Sequence, residues 1–274
     1  MNISFTINSG LKINAEMNYP DNPRSGVIIL IHGLGEHLGR YEDWTGRFVD
    51  KGFAVIRADL MGHGESEGLK GHVSGFEEYH ELIERLISIA RDEYPVLPVI
   101  LYGHSLGGTI VLDYIISGTN GLDLAVVTSP WIRLSFEPSG FKVALAKIAR
   151  RIAPRMIQPS GLNARHLSHD QEVVSAYIND PLVHSSISAA MFFGVYNSSK
   201  YIAENAARVD IPVLLLHGTD DLITSPEASK QFAGGSDKVD LRLWNGGYHE
   251  LHNEPFKDEV FNEIYGWIKS TLPG

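Results

Sequence analysis

The sequence predicts an α/β fold, a mostly parallel sheet flanked by helices, on three observations. Six short apolar runs, near 27–32, 54–59, 99–104, 124–129, 212–217 and 239–244, have the length and composition of strands. Helical patterns separate most of them, and strands that alternate with helices build a parallel sheet covered by helices. The third observation is the distance from Pro130 to Pro212, about eighty residues, far longer than an ordinary strand connection. That segment is predicted to be a helical cap inserted after the sixth strand, the run near 124–129 when two strands of an amino-terminal hairpin are counted, leaving residues 1–130 and 211–274 as the core and 131–210 as the cap.

In chain order, Met1 to Tyr19 alternates about Asn8-Ser9-Gly10 and reads as a β-hairpin. It carries neither a positive leader region nor a continuous apolar run, so no export signal is expected. Val27-Ile28-Ile29-Leu30-Ile31 is the first predicted core strand and runs into His32-Gly33-Leu34-Gly35-Glu36-His37. The second is followed by Asp59 to Gly68, a loop without evident chemistry that is expected to brace the neighbouring edge. Phe76, Tyr79, Leu82, Ile83, Leu86, Ile89 and Ala90 recur at helical spacing ahead of Tyr94-Pro95, which predicts a helix with one buried stripe. Val99-Ile100-Leu101-Tyr102 then passes through Gly103-His104-Ser105-Leu106-Gly107-Gly108 into the helical run Thr109 to Ile116.

That last passage carries the most chemistry. Gly-x-Ser-x-Gly between a strand and a helix is the pattern of a nucleophile elbow, a turn so sharp that side chains at Gly103 and Gly107 would obstruct it. Ser105 is then the expected nucleophile, with its Oγ exposed at the carboxyl edge of the sheet. It needs a base, and an acid to orient that base, following in the order Ser, Asp or Glu, His. His217-Gly218-Thr219-Asp220-Asp221 follows the apolar run ending at Leu216, and Asn245-Gly246-Gly247-Tyr248-His249-Glu250-Leu251-His252 follows Leu241 to Trp244. Both groups stand at strand ends, where the loops of parallel sheets carry active sites. Asp221 is the expected acid with Asp220 as the alternative, since one position separates them. His249, just after the Gly246-Gly247 turn, is the expected base with His252 as the alternative. Backbone N–H groups of Leu106 and Leu34 are the expected oxyanion donors. His249 and His252 lack the further ligands of a zinc site, so neither metal nor cofactor is expected.

With these motifs assembled, the chain resembles α/β-hydrolases of the monoacylglycerol lipase and lysophospholipase group. The resemblance rests on His32 to His37 with Gly39-Arg40-Tyr41, Asp59 to Gly68, Gly103 to Gly108, Asp220-Asp221 and Gly247 to His252. It runs from about residue 26 to the end and is weak in the middle segment. It implies an α/β-hydrolase fold and a serine carboxylic-ester hydrolase acting on single-chain acyl esters through an acyl-enzyme, with monoacylglycerol first. Lysophospholipase, or general carboxylesterase or thioesterase, is the alternative, and a ligand receptor without turnover a remote one. In that family, positions resembling Glu36, Arg40 and His252 line the end of the pocket that receives glycerol hydroxyls. Read as residues alone, Glu36 and Arg40 also suit an ion pair, and His252 also suits packing beside the imidazole.

Within the cap, Phe141, Ala144, Leu145, Ile148 and Ile152 form an apolar stripe opposite Lys142, Lys147, Arg150 and Arg151. By the resemblance, Phe141, Leu145 and Ile148 would admit an acyl chain, and the cap would touch a membrane or micelle transiently. A helix that only roofs the domain has the same pattern. Phe192, among Met191, Phe193, Val195 and Tyr196, would line an acyl tunnel or belong to the core of the cap.

Composition narrows less. The 274 residues are 43% hydrophobic and 20% charged, which fits one globular domain with an insertion. A formal net charge of −10 and the lack of any basic stripe disfavour nucleic acid and anionic membrane as standing partners. No obligate protein partner is expected. The absence of cysteine excludes disulfides and thiol chemistry and fits a reducing, cytoplasmic setting. No apolar run has the length of a membrane-spanning helix.

Overall fold

The structure, a computed structural model, describes residues 1–118, 121–136 and 151–272. The first core unit holds β1 (Asn2–Thr6), β2 (Lys12–Asn18), β3 (Gly26–Ile31), α1 (Glu42–Asp50), β4 (Phe53–Ala58) and α2 (Glu77–Glu93). It continues through β5 (Val99–His104), α3 (Leu106–Gly118) and β6 (Leu124–Thr128). Past an insertion, the core closes with β9 (Val213–Gly218), α6 (Pro226–Ala233), β10 (Val239–Trp244) and α7 (Lys257–Thr271).

Eight strands form one sheet in the order β1-β2-β4-β3-β5-β6-β9-β10. The hairpin β1–β2 is antiparallel and joins β4 in antiparallel fashion; from β4 to β10 every pair is parallel. A parallel sheet covered on both faces needs apolar side chains at every position, and β3, β4, β5, β6 and β9 are buried throughout. The alternating side chains feed two cores. Ile29 and Ile31 pack with residues of α2, α3 and α6 on one face. Ile28 and Leu30 pack with Trp44 and Phe48 of α1 and with Val260 and Ile264 of α7 on the other. The six predicted core strands agree with the observed ones to within a residue.

The insertion between β6 and β9 contains β7 (Ile157–Pro159), α4 (Gln171–Asn179), β8 (Ser186–Ser188) and α5 (Ala189–Glu204). It is therefore not wholly helical: β7 and β8 form an antiparallel pair of three residues each, too short to leave a periodic signal in the sequence. Its attachments reach the loops at the carboxyl ends of the strands. His184 N–H donates to Gly35 O at 2.9 Å, Ser188 N–H to Gly71 O at 2.8 Å, and Ser199 Oγ to Trp131 O at 2.6 Å. Phe141, Leu145 and Ile148 lie outside the described residues. The Asp59 loop does brace its edge, since the Asp59 carboxylate accepts from Leu38 N–H, Glu65 N–H and Asn14 Nδ2 at 2.8–2.9 Å.

Candidate active site

Parallel pairing puts the ends of β3, β5, β9 and β10 at one edge, and four loops leave from it. Ser105 stands between β5 and α3 with φ of +54°, a left-handed conformation that strains a residue with a side chain. The turn is held by close backbone approach: a Cβ at Gly107 would collide with the carbonyls of Ile31 and His32. Ser105 N–H donates to Thr128 O at 3.0 Å and Ser105 O accepts from Trp131 N–H at 3.2 Å, so the residue is fixed on both sides.

The loops after β9 and β10 meet where Asp220 N–H donates to Gly247 O at 3.0 Å. His249 Nε2 then lies 2.9 Å from Ser105 Oγ, and His249 Nδ1 lies 2.7 Å from Asp221 Oδ2. The Asp220 side chain is exposed and accepts from the Thr219 hydroxyl at 2.9 Å, whereas Asp221 is the carboxylate that faces the imidazole. Asp221 Oδ1 accepts from Ile223 N–H and Thr224 N–H at 2.8 and 3.0 Å. Its Oδ2 is shared with the Thr224 hydroxyl at 2.8 Å and His217 Nε2 at 3.1 Å. Burial alone would raise the Asp221 carboxyl, but His249 and His217 outweigh it and hold the group well below the usual carboxylate range. For His249, burial opposes the charged ring, yet the Asp221 carboxylate prevails and raises its pKa above the ordinary value.

The local sequence gives no role to Thr224, His217 or Ser129, although His217 lies within the motif that ends in Asp220-Asp221. Ser129 also has a positive φ, +46°, and its Oγ donates to His249 O at 2.8 Å. Nothing in a single Ser-Pro pair signals such a contact across 120 residues.

Glu36, Arg40 and His252 gather behind this chain, but their polar ends are engaged within the protein or shielded by it. Glu36 is 3% exposed, with Oε1 accepting from Gly33 N–H and the Tyr41 hydroxyl and Oε2 from Arg40 Nη1. Arg40 also forms two bonds with Glu250, at 2.6 and 2.8 Å. His252 is stacked on Tyr41 at 4.8 Å and set edge-on to His104 at 4.9 Å; among the described residues neither ring nitrogen has a hydrogen-bond partner. Burial pushes its pKa down to about 4. Leu34 and Leu106 lie at the two turns beside Ser105, both buried.

Phe192 lines a cavity of about 360 Å³ between the insertion and the core, together with Trp131, Ile132, Leu134, Phe136 and Tyr196. Its volume falls in the range of small-molecule pockets; Trp131, one of its lining residues, is bonded through its N–H to Ser105 O, but Ser105, Asp221 and His249 are not among the residues that line it. Among the described residues, no group of three or more His, Cys, Asp or Glu is arranged to hold a metal ion. Among them, too, no helix is long and apolar enough to cross a membrane.

A family model described as serine aminopeptidase, S33, matches residues 22–256. The chain is similar to a monoacylglycerol lipase of Mycolicibacterium smegmatis, 34% identical over 272 residues that cover 98% of this chain and 97% of that protein. An uncharacterized abhydrolase domain-containing protein of Dictyostelium discoideum is 36% identical over 251 residues, 90% of this chain; the chain spans only 26% of that relative. The crystal structure of a Paleococcus ferrophilus monoacylglycerol lipase matches with a TM-score of 0.87 at 34% identity, covering 95% of this chain and 99% of that one. Sheet order, strained elbow serine and these matches agree, and the chain belongs to the monoacylglycerol lipase family of α/β-hydrolases, as a serine carboxylic-ester hydrolase.

Proposed function

We propose that the protein hydrolyses monoacylglycerol to fatty acid and glycerol, with Ser105 as nucleophile, His249 as general base and acid, and Asp221 as the group that orients His249. The observation that carries the mechanism is the unbroken chain Ser105 Oγ, His249, Asp221 at 2.9 and 2.7 Å, starting from a backbone strained to present the hydroxyl. Ser105 Oγ attacks the ester carbonyl while its proton passes to His249 Nε2. Asp221 keeps the other ring proton on Nδ1 and stabilises the imidazolium. The carbonyl oxygen becomes an oxyanion between the N–H groups of Leu106 and Leu34. His249 returns the proton to the leaving alkoxide, and water, deprotonated by the same imidazole, releases the acyl group from Ser105.

An apolar cavity lined by Trp131, Leu134 and Phe192 next to the turn of Ser105 supports an acyl chain as part of the substrate. The insertion serves as the cap. Its exposed Ile152, Met156 and Ile157, with Arg151 and Arg155 beside them, support transient contact with a lipid surface. Steady-state hydrolysis of 1-monoacylglycerols of increasing chain length, beside matched p-nitrophenyl esters, lysophosphatidylcholine and triacylglycerol, tests the reading with Ser105→Ala as blank. We expect the monoacylglycerols to have the highest kcat/KM. Activity confined to short activated esters would leave a general carboxylesterase instead.

A further inference from the structure

Two side chains grip the loop of the second oxyanion donor, one on each side of Gly33. Glu36 Oε1 accepts from Gly33 N–H at 2.6 Å. His32 Nε2 accepts from Leu60 N–H at 2.9 Å, which leaves the ring proton on Nδ1, and Nδ1 donates to Gly33 O at 2.8 Å. In a trans peptide the C=O and the following N–H point in opposite directions. Fastening Gly33 O to His32 therefore turns the Leu34 N–H to the other side of the loop. There is no slack here, because a Cβ on Gly33 would lie 2.8 Å from Glu36 Oε1 and 3.1 Å from Ser105 Cβ.

Behind Glu36 stands Arg40. Its Nη1 donates to Glu36 Oε2 and to Glu250 Oε1, each at 2.6 Å, and its Nη2 donates to Glu250 Oε2 at 2.8 Å. Glu250 directly follows His249, so one guanidinium links the Gly33 loop to the segment bearing the imidazole. The ring of Tyr177 on α4 covers it, 4.7 Å from the guanidinium carbon.

We propose that His32 and Glu36 are positioning residues that set the oxyanion hole, and that Arg40 registers that hole against His249 through Glu250. The proposal rests on the Ser105 mechanism above. It differs from a role for Glu36 at the alcohol end of the substrate, since both of its oxygens are committed inside the protein.

The test uses p-nitrophenyl butyrate, which has no glycerol end, beside a monoacylglycerol. Glu36→Met keeps the length of the side chain and removes the acceptor, whereas Glu36→Gln keeps an oxygen for Gly33 N–H. Glu36→Met should lose kcat on both substrates by about 100-fold, the scale of one lost oxyanion donor, with KM nearly unchanged. Glu36→Gln should recover most of that loss. Phosphonylation of Ser105 by a p-nitrophenyl phosphonate should slow in parallel, because the phosphoryl oxygen uses the same donors. Tyr41→Phe removes only the hydroxyl that steadies Glu36 Oε1, at 2.7 Å, and should lower kcat several-fold without a change in KM. This milder variant keeps the test decisive if Glu36→Met fails to fold. Unchanged kcat on p-nitrophenyl butyrate in either folded variant, with KM raised for the monoacylglycerol alone, would place Glu36 against the substrate and overturn the proposal. Hydrolysis persisting in Ser105→Ala would instead overturn the mechanism on which it rests.

Discussion

Asp221 divides its hydrogen bonds between its two oxygens in a way its neighbour cannot imitate. Oδ1 is occupied by two backbone N–H groups and Oδ2 faces His249 while also meeting His217 and the Thr224 hydroxyl, whereas Asp220 is exposed. Asp221→Asn should therefore lower kcat by about 10⁴-fold, the scale seen when an orienting acid loses its charge, and Asp220→Asn by less than about twofold. Steady-state kinetics of the pair decides between them. The pH profile follows from the same contact. His249 must be neutral to accept the Ser105 proton, and its pKa is raised by Asp221, so the acid limb of kcat/KM should lie above the ordinary histidine value of about 6.5. A limb at or below that value would contradict the geometry. His252 behaves in the opposite sense. Its folded pKa, about 4, is below the value in an unfolded chain, so its contribution to stability is complete above about pH 6.5 and is lost as pH falls toward 4. His252→Phe preserves the stack on Tyr41 and removes that loss. Its melting temperature relative to the parent should rise as pH is lowered from 7 to 4, and parallel melting curves would refute the assignment.

At the scale of the element, α3 and α7 show how differently two glycines can be used. Gly107 opens α3 against the backbone of β3, and an added methyl has nowhere to go. Gly107→Ala should destabilise by about 3 kcal/mol or more, in the range of overpacked backbone contacts, and disturb Ser105 as well. Gly266 sits at an exposed position in the middle of α7 with nothing within 4 Å of a built Cβ. There alanine should stabilise by about 0.5–1 kcal/mol through helix propensity alone. Urea midpoints of the two variants, moving in opposite directions, would check both statements. The contrast also shows why the elbow is legible from the residues: Gly-x-Ser-x-Gly at a strand end is a steric pattern, and sterics are local. The pairing of β7 with β8 is not local, since Ile157 meets Ser188, and three-residue strands carry no period.

Across the whole molecule, the insertion and the four strand-end loops act as one structure. Leu167 O accepts from Glu250 N–H at 2.8 Å and Gly35 O from His184 N–H at 2.9 Å, so the insertion touches both the His249 segment and the Gly33–Gly35 loop. The insertion exposes Ile152 at 79% and Met156 at 43%, the apolar surface on which the proposed lipid contact rests. Ile152→Ser with Met156→Ser should lower activity toward monoacylglycerol in phosphatidylcholine vesicles several-fold and leave hydrolysis of dissolved p-nitrophenyl acetate unchanged. Equal effects on both substrates would count against surface contact.

The sequence by itself determined the α/β architecture and the six core strands, and it pointed to an elbow at Ser105 and to a long segment between the fourth and fifth of those strands. Each of these follows from short-range physics: continuous apolar runs for a sheet buried on both faces, helical periodicity between them, and glycines where backbone meets backbone. It also brought the candidate acid and base down to two pairs of neighbours. Only the tertiary structure placed Asp221 and His249 on the Ser105 chain, through bonds spanning 28 and 144 residues. It also joined Glu36 and Arg40 to Glu250, 210 residues from Arg40. A one-residue shift in a loop reverses which side chain points inward, and that choice is made by the packing of distant strands, which no local pattern encodes.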